Sequence, residues 1–203
     1  MKDLIISWDI GIRTLSFAIS KVGENIKRGC GMHGHPFIVK MVKMIDMRSP
    51  VTELDDEGNK IKTHKSIEAK NLPMDKLMIR LKMWLDKYKF FIYNERIQMS
   101  LIETQMKSSM KIISYVIHFT YVERNIPVKN IHASVKFVNA PKGKSNYSKR
   151  KLISIKTCKK LLEKEKIKNK LILDRIESLG SSAHNITDAI LIGAGFIGEC
   201  IGC

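Results

Sequence analysis

Three acidic residues stand in unusually apolar surroundings. Asp9 follows Leu4-Ile5-Ile6-Ser7-Trp8, Glu103 follows Leu101-Ile102, and Asp188 sits within Ile186-Thr187-Asp188-Ala189-Ile190. An isolated charge in apolar sequence is costly unless it is paired or bound to a metal. Brought to one point, the three carboxylates form a hard-oxygen donor set suited to Mg²⁺, with Mn²⁺ as a substitute. Two such ions about 4 Å apart activate water and stabilise the leaving oxygen in phosphodiester hydrolysis. Each acid taken alone is better explained as a strand end or a helix cap, and it is their joint order along the chain, with the net charge, that favours chemistry. His184 and Asn185 precede Asp188 by four and three residues, so on a helix they neighbour it. His184 could supply a fourth metal contact or position the attacking water, or it could cap the helix together with Ser181 and Ser182. Asn185 competes for the fourth place, although an amide binds a hard cation less strongly than a carboxylate does.

The elements that must carry these residues follow from apolar periodicity. Residues 4–8 and 15–22 read as two strands joined by a tight turn at Gly11, and residues 37–47 as a third, half-exposed strand. Residues 48–71 are polar, with a hairpin expected over 51–63 as an insertion. Met74, Leu77, Met78, Leu81, Trp84, Leu85 and Tyr88 recur every three or four residues behind Pro73, which marks an amphipathic helix. A buried strand over 97–102 runs into Glu103. A helix is expected over 106–122, a strand over 131–138, a helix over about 149–166 and a final helix over 183–201. In that last helix Gly193, Gly195, Gly198 and Gly202 weaken helix propensity but permit close packing on a sheet or a second subunit. If the first and fourth strands are adjacent, Asp9 and Glu103 face one another and the last helix brings Asp188.

The chain has 203 residues, 44% of them hydrophobic, enough to bury one core, and a single domain over 1–203 is expected. Lys and Arg number 36 against 20 Asp and Glu, a net charge of +16 that points to a polyanionic partner, with nucleic acid the default. Lys142, Lys144, Lys149, Arg150, Lys151, Lys156, Lys159 and Lys160 crowd into twenty residues, enough to contact several phosphates without reading sequence. No apolar run suggests a membrane span, and the first twenty residues do not fit a secretory signal, so an intracellular setting without membrane attachment is expected. The four cysteines lack disulfide-framework spacing and are expected as free thiols. Cys30, His33 and His35 fall short of the four ligands of a zinc site and fit a Gly-rich turn better. Met74, Met78, Met83, Met106 and Met110 are expected as core filler or as dimer contact. A sugar-kinase-like phosphate loop at residues 9–14 is a competing reading, but a second Gly-rich phosphate loop is missing from the sequence.

Four segments together carry a family resemblance: Trp8-Asp9-Ile10-Gly11, Leu101-Ile102-Glu103-Thr104-Gln105, Asn146-Tyr147-Ser148-Lys149-Arg150-Lys151 and His184-Asn185-Ile186-Thr187-Asp188-Ala189. In their order they resemble the poxvirus branch of RuvC-like Holliday junction resolvases, over nearly the whole chain except residues 23–72. The resemblance implies an α/β fold of RNase H-like type, with a mixed five-stranded sheet flanked by helices. It implies a Mg²⁺-dependent endodeoxyribonuclease that resolves four-way junctions by paired symmetrical nicks. Asp9, Glu103 and Asp188 would hold the metal, and Lys151 would approach the scissile phosphate. A homodimer acting in DNA recombination and repair follows, in a viral factory of the host cytoplasm or another DNA-containing compartment. The family has a further acid three or four residues before its last Asp, where this chain has Asn185 and His184. A branched-DNA-binding module that kept the fold without the chemistry is therefore the alternative.

Overall fold

The computed structural model of the chain describes residues 2–22, 37–54, 57, 60–64, 73–136 and 146–198. The basic run at 142–145, Cys30, His33, His35, Cys200 and Cys203 lie outside them. Strands β1 (Leu4–Ile10), β2 (Thr14–Lys21) and β3 (Ile38–Asp46) form an antiparallel meander. The first turn is tight enough to require Gly11, because a Cβ there would meet the Thr14 carbonyl oxygen at 2.7 Å. The expected hairpin forms from β4 (Val51–Leu54) and β5 (Lys60–His64) as a separate two-stranded sheet.

Helix α1 (Met74–Lys87) begins directly after Pro73 and leads through the short α2 (Lys89–Ile92) into β6 (Ile97–Glu103). Helix α3 (Ser108–Val122) then connects to β7 (Val128–Ile131). Helices α4 (Tyr147–Glu163), α5 (Lys166–Leu179) and α6 (His184–Phe196) complete the described chain. The five-stranded sheet has the order β3-β2-β1-β6-β7, with β6 parallel to both β1 and β7. This is the mixed five-stranded sheet flanked by helices that the sequence leads one to expect.

Two elements differ from expectation. The seventh strand covers 128–131 rather than 131–138, and a 3-10 turn, Ala133–Lys136, follows it. Strand β7 pairs only with Ser100–Glu103 of β6, so beyond Ile131 it has no partner and the chain leaves the sheet. Helix α5 was not expected at all. Its buried residues Leu173 and Ile176 are diluted by charge, and its most apolar outward positions, Ile167 and Leu171, are exposed, which blurs the amphipathic period.

Period-2 alternation along β1 divides its side chains between two cores. Leu4, Ile6, Trp8 and Ile10 join Leu77, Leu81, Ile113, Ile117 and Tyr121 beneath α1 and α3. Trp8 is fully buried there, with its ring 5.0 Å from Phe17. Ile5 faces the opposite way, into the layer made by α4, α5 and α6. Ser7 shares that face and donates a 2.6 Å hydrogen bond to the Ala189 carbonyl of α6. Of the methionines, Met83 is buried and Met74, Met78 and Met110 pack against the first core, whereas Met106 is exposed.

The start of β1 is tied to the loop before β6 by a bidentate pair, Arg96 Nε and Nη2 donating to Asp3 at 2.9 and 2.7 Å. The Arg96 hydrogen bonds, opposed by burial and aided by the charges of Arg96 and Lys21, hold the Asp3 carboxyl below its ordinary value of 3.8. A carboxyl whose folded pKa is depressed adds stability above its unfolded value and loses it as pH falls through the folded value. Melting temperatures measured from about pH 6 down to about pH 2 are therefore expected to fall less steeply for Asp3→Asn than for the wild type. Parallel curves would show that this pair contributes nothing to acid unfolding.

Candidate active site

Strand order does the first part of the assembly. β1 and β6 are parallel neighbours, Trp8 pairing with Ile102, so Asp9 and Glu103 leave the same end of the sheet side by side. Helix α6 crosses that face and brings Asp188. Its approach depends on small residues: a Cβ on Gly193 would sit 3.2 Å from Ser7 Oγ, and one on Gly195 would lie 2.4 Å from the Val135 carbonyl oxygen. The expected close packing of the glycine-rich helix is thus made on the sheet and on the 3-10 turn. Ser154 of α4, fully buried, donates to Asp188 Oδ1 and lies 2.7 Å from the Thr187 hydroxyl. Gln105 Nε2 donates to Glu103 Oε2 at 3.3 Å.

At the centre stands a residue that sequence reasoning missed. Lys136 ends the 3-10 turn and places its Nζ 2.8 Å from Glu103 Oε1, 3.2 Å from Asp188 Oδ2 and 3.5 Å from Asp9 Oδ1. Its side chain is only 6% exposed, so the ammonium has little water and depends on these carboxylates. The sequence offered one signal, a lone lysine in Ser134-Val135-Lys136-Phe137-Val138, and that signal was lost when the segment was read as a strand.

The electrostatics are those of crowded like charges around one cation. Burial opposes the charge on Lys136, yet the Asp9, Asp188 and Glu103 carboxylates outweigh it and hold the amine protonated above its ordinary range. Burial raises Asp9 well above the carboxylate range against the pull of Lys136, with Asp188 and Glu103 pushing the same way. Burial also works to raise Glu103, but Lys136 and hydrogen bonds from Asp9, Lys136 and Gln105 leave it lowered. Asp9 and Glu103 thus shift in opposite directions around the shared ammonium, Asp9 upward and Glu103 downward.

The three acids singled out from the sequence thus meet, and the groups around them are less uniform. His184 begins α6 with Nδ1 2.9 Å from the Ser181 carbonyl, the position of a helix-start histidine. Asn185 Nδ2 turns toward β3, 3.4 Å from Met44 Sδ and 3.5 Å from the Ser182 carbonyl. Lys151 lies one turn before Ser154 on α4, with Nζ 4.5 Å from the centre of the Tyr147 ring. Arg150 approaches the same ring at 5.9 Å, and Lys149 and Lys156 are exposed on that helix. Cys158 is a buried free thiol pushed up by burial and by Asp188, which makes it unreactive.

Among the described residues no three His, Cys, Asp or Glu side chains are arranged as a ready metal site; the carboxylates are instead gathered around an ammonium. Three carboxylates converge on one cationic point, and the ammonium that occupies it stands in for positive charge at that spot. Ser154 and Gln105 orient two of the carboxylates as outer partners do around a metal.

No protein-family model and no curated protein sequence matches this chain. Among solved structures, the fold is similar to that of the fowlpox virus resolvase bound to its substrate Holliday junction DNA. The TM-score is 0.58 at 19% identity, over 97% of each chain. RuvC of Thermus thermophilus also aligns, over 95% of this chain and 94% of its own, with a TM-score of 0.49 at 11% identity. Its complex with a Holliday junction substrate aligns at 0.48 and 10%.

Proposed function

We propose that this chain is a divalent-metal-dependent endodeoxyribonuclease that resolves four-way DNA junctions in recombination and repair. The observation that carries the reading is the convergence of Asp9, Glu103 and Asp188, from three distant parts of the sequence, on one buried point. The likeness of fold to a virus resolvase crystallised with junction DNA supports it, as does the +16 charge.

Asp9, Glu103 and Asp188 would hold Mg²⁺ or Mn²⁺, which when bound supplies the activated water and the stabilised leaving oxygen. Ser154 fixes the rotamer of Asp188 and Gln105 that of Glu103, so the carboxylates need little rearrangement. The Lys136 ammonium lies at their meeting point and would give way as a cation enters. Lys151, one turn from Ser154 and resting on Tyr147, stands where it can meet a phosphate arriving from the α4 side. Lys149, Arg150 and Lys156 extend that basic helix, and Lys142 and Lys144 precede it in sequence. His184 remains the candidate for positioning water, because Asn185 is turned toward β3.

Paired symmetrical nicks require two sites, and α3 offers a surface for a second copy. Ile112, Tyr115, Phe119 and Val122 form a helical stripe that is 39%, 68%, 62% and 51% exposed. Sedimentation is expected to show a wild-type dimer, and a monomer of unchanged secondary structure when Tyr115 and Phe119 are both replaced by Lys. A double variant that sediments as the wild type would remove α3 from the interface.

The activity itself is tested with an end-labelled four-way junction and Mg²⁺. Symmetrical nicks in opposing strands, with a linear duplex left intact, are expected. Tight junction binding without nicking in either Mg²⁺ or Mn²⁺ would instead identify a branched-DNA-binding module, the reading that His184 and Asn185 keep open by standing where a further acid would be.

A further inference from the structure

Strand β3 stands at one edge of the sheet, and among the described residues only its inner side is paired, with β2. The Met47 N–H donates to the Arg13 carbonyl at 2.9 Å, so the peptide groups of Met47 face inward. Counted back along the unbroken register, those of Met44 and Val42 face outward, and among the described residues nothing bonds to them. Nearer its start the same edge is occupied. Asn169 of α5, fully buried, accepts from the Val39 N–H at 3.0 Å and donates to the Phe37 carbonyl at 3.2 Å. Those are the two bonds that one residue of an added parallel strand would make. The edge is therefore bonded where α5 reaches it and open farther along.

The open stretch is the floor of a cavity of about 440 Å³. Alternation along β3 gives this cavity two walls. Lys43, which pairs with Phe17, lies on the α1 side with Tyr88, whose ring is held by Trp84 at 6.1 Å and Phe17 at 5.7 Å. Val42 and Met44 lie on the other side with Leu171 and Arg175 of α5. Each wall thus offers an apolar surface and one cation, and among the described lining residues none is acidic. An open edge is a template for another strand, and lysines guard it against chains of the same sign. A second copy of this chain, at +16, is repelled. An acidic strand is attracted.

We propose that β3 takes up an extended acidic segment of a partner protein as a sixth strand, held between α1 and α5. The residue opposite Lys43 is Asp or Glu, because opposite charges directly across a ladder stabilise the pairing. Its two neighbours point to the Val42 and Met44 side and are apolar, packing on Leu171. Main-chain bonds to Val42 and Met44 supply the affinity, and the alternating side chains supply the selectivity. None of the lining residues belongs to the acid cluster, so the inference stands apart from the nuclease reading.

The probe is a short, acetylated, fluorescein-labelled peptide of alternating Val and Glu, titrated by fluorescence anisotropy. One control carries Lys in place of Glu, and another is N-methylated throughout and has no N–H to pair. Both controls are expected to bind weaker than the probe by about tenfold or more. With the probe bound, amide exchange at Val42 and Met44 is expected to slow by about tenfold or more. Lys43→Glu with Arg175→Glu, both at exposed positions, is expected to weaken the probe by about tenfold, favour the Lys peptide and leave junction cleavage unchanged. Equal binding of the N-methylated peptide, or unprotected amides at Val42 and Met44, overturns the proposal and leaves only attraction to a basic protein. Absence of probe binding overturns it as well. Loss of junction cleavage in the double variant would assign this edge to DNA, which also overturns it.

Discussion

Asp9→Asn is expected to lower junction cleavage by more than the roughly 10- to 100-fold typical of outer-shell substitutions at metal sites, while junction binding and folding persist. Burial raises the Asp9 carboxyl well above the ordinary range, with Asp188 and Glu103 pushing the same way and Lys136 opposing. Asparagine copies the shape of the aspartate side chain, and the cluster keeps its Lys136 contacts to Glu103 and Asp188. What asparagine cannot do is serve as an anionic ligand. Cleavage rate, junction affinity and melting temperature measured on one preparation should therefore separate, with only the first collapsing. Unchanged cleavage would exclude this carboxylate from the chemistry.

Lys136→Met has the opposite signature and the second largest effect. The amine is the cation that three carboxylates share, and its own side chain is almost wholly removed from water. Removing one partner of a buried ion pair costs about 3–5 kcal/mol because the remaining charge is left uncompensated. In a chelator-containing buffer the variant is expected to melt well below the wild type. Addition of Mg²⁺ or Mn²⁺ should then raise its melting temperature more than that of the wild type, because the ion takes over the role of the missing amine. Equal stability of the two proteins in chelator would mean that the carboxylates do not depend on Lys136.

These two residues mark how far the sequence could be read. Asp9, Glu103 and Asp188 were visible because each is a charge set among apolar residues, and strand periodicity around the first two fixed which sheet end they leave. Lys136 was hidden because its partner carboxylates are 33 or more positions away in the chain, and because a short edge strand ended earlier than its apolar run suggested. Ser154 and Gln105 carried no local signal. A buried serine in a basic helix looks like any other, and only the crossing of α4 over α6 brings it to Asp188. The third layer was similarly obscured, since α5 turns Ile167 and Leu171 outward and spoils the helical pattern that would have revealed it.

The basic segment shows a different limit. Charge counting locates a phosphate-binding stretch at 142–160 but cannot say which lysine turns inward. On α4 it is a serine, not a lysine, that contacts the acid cluster, while Lys151 rests on Tyr147 beside it.

Whether the acid cluster takes up divalent cations is the point on which all of this turns, and it can be read without any cleavage. Mn²⁺ titrated into the protein with junction DNA present, followed by the loss of the free-ion electron paramagnetic resonance signal, reports binding directly. Wild-type protein should remove Mn²⁺ from solution, and a variant combining Asp9→Asn, Glu103→Gln and Asp188→Asn should lose that uptake while still binding DNA. Equal uptake by the two proteins would place the bound metal somewhere other than the meeting point of Asp9, Glu103 and Asp188.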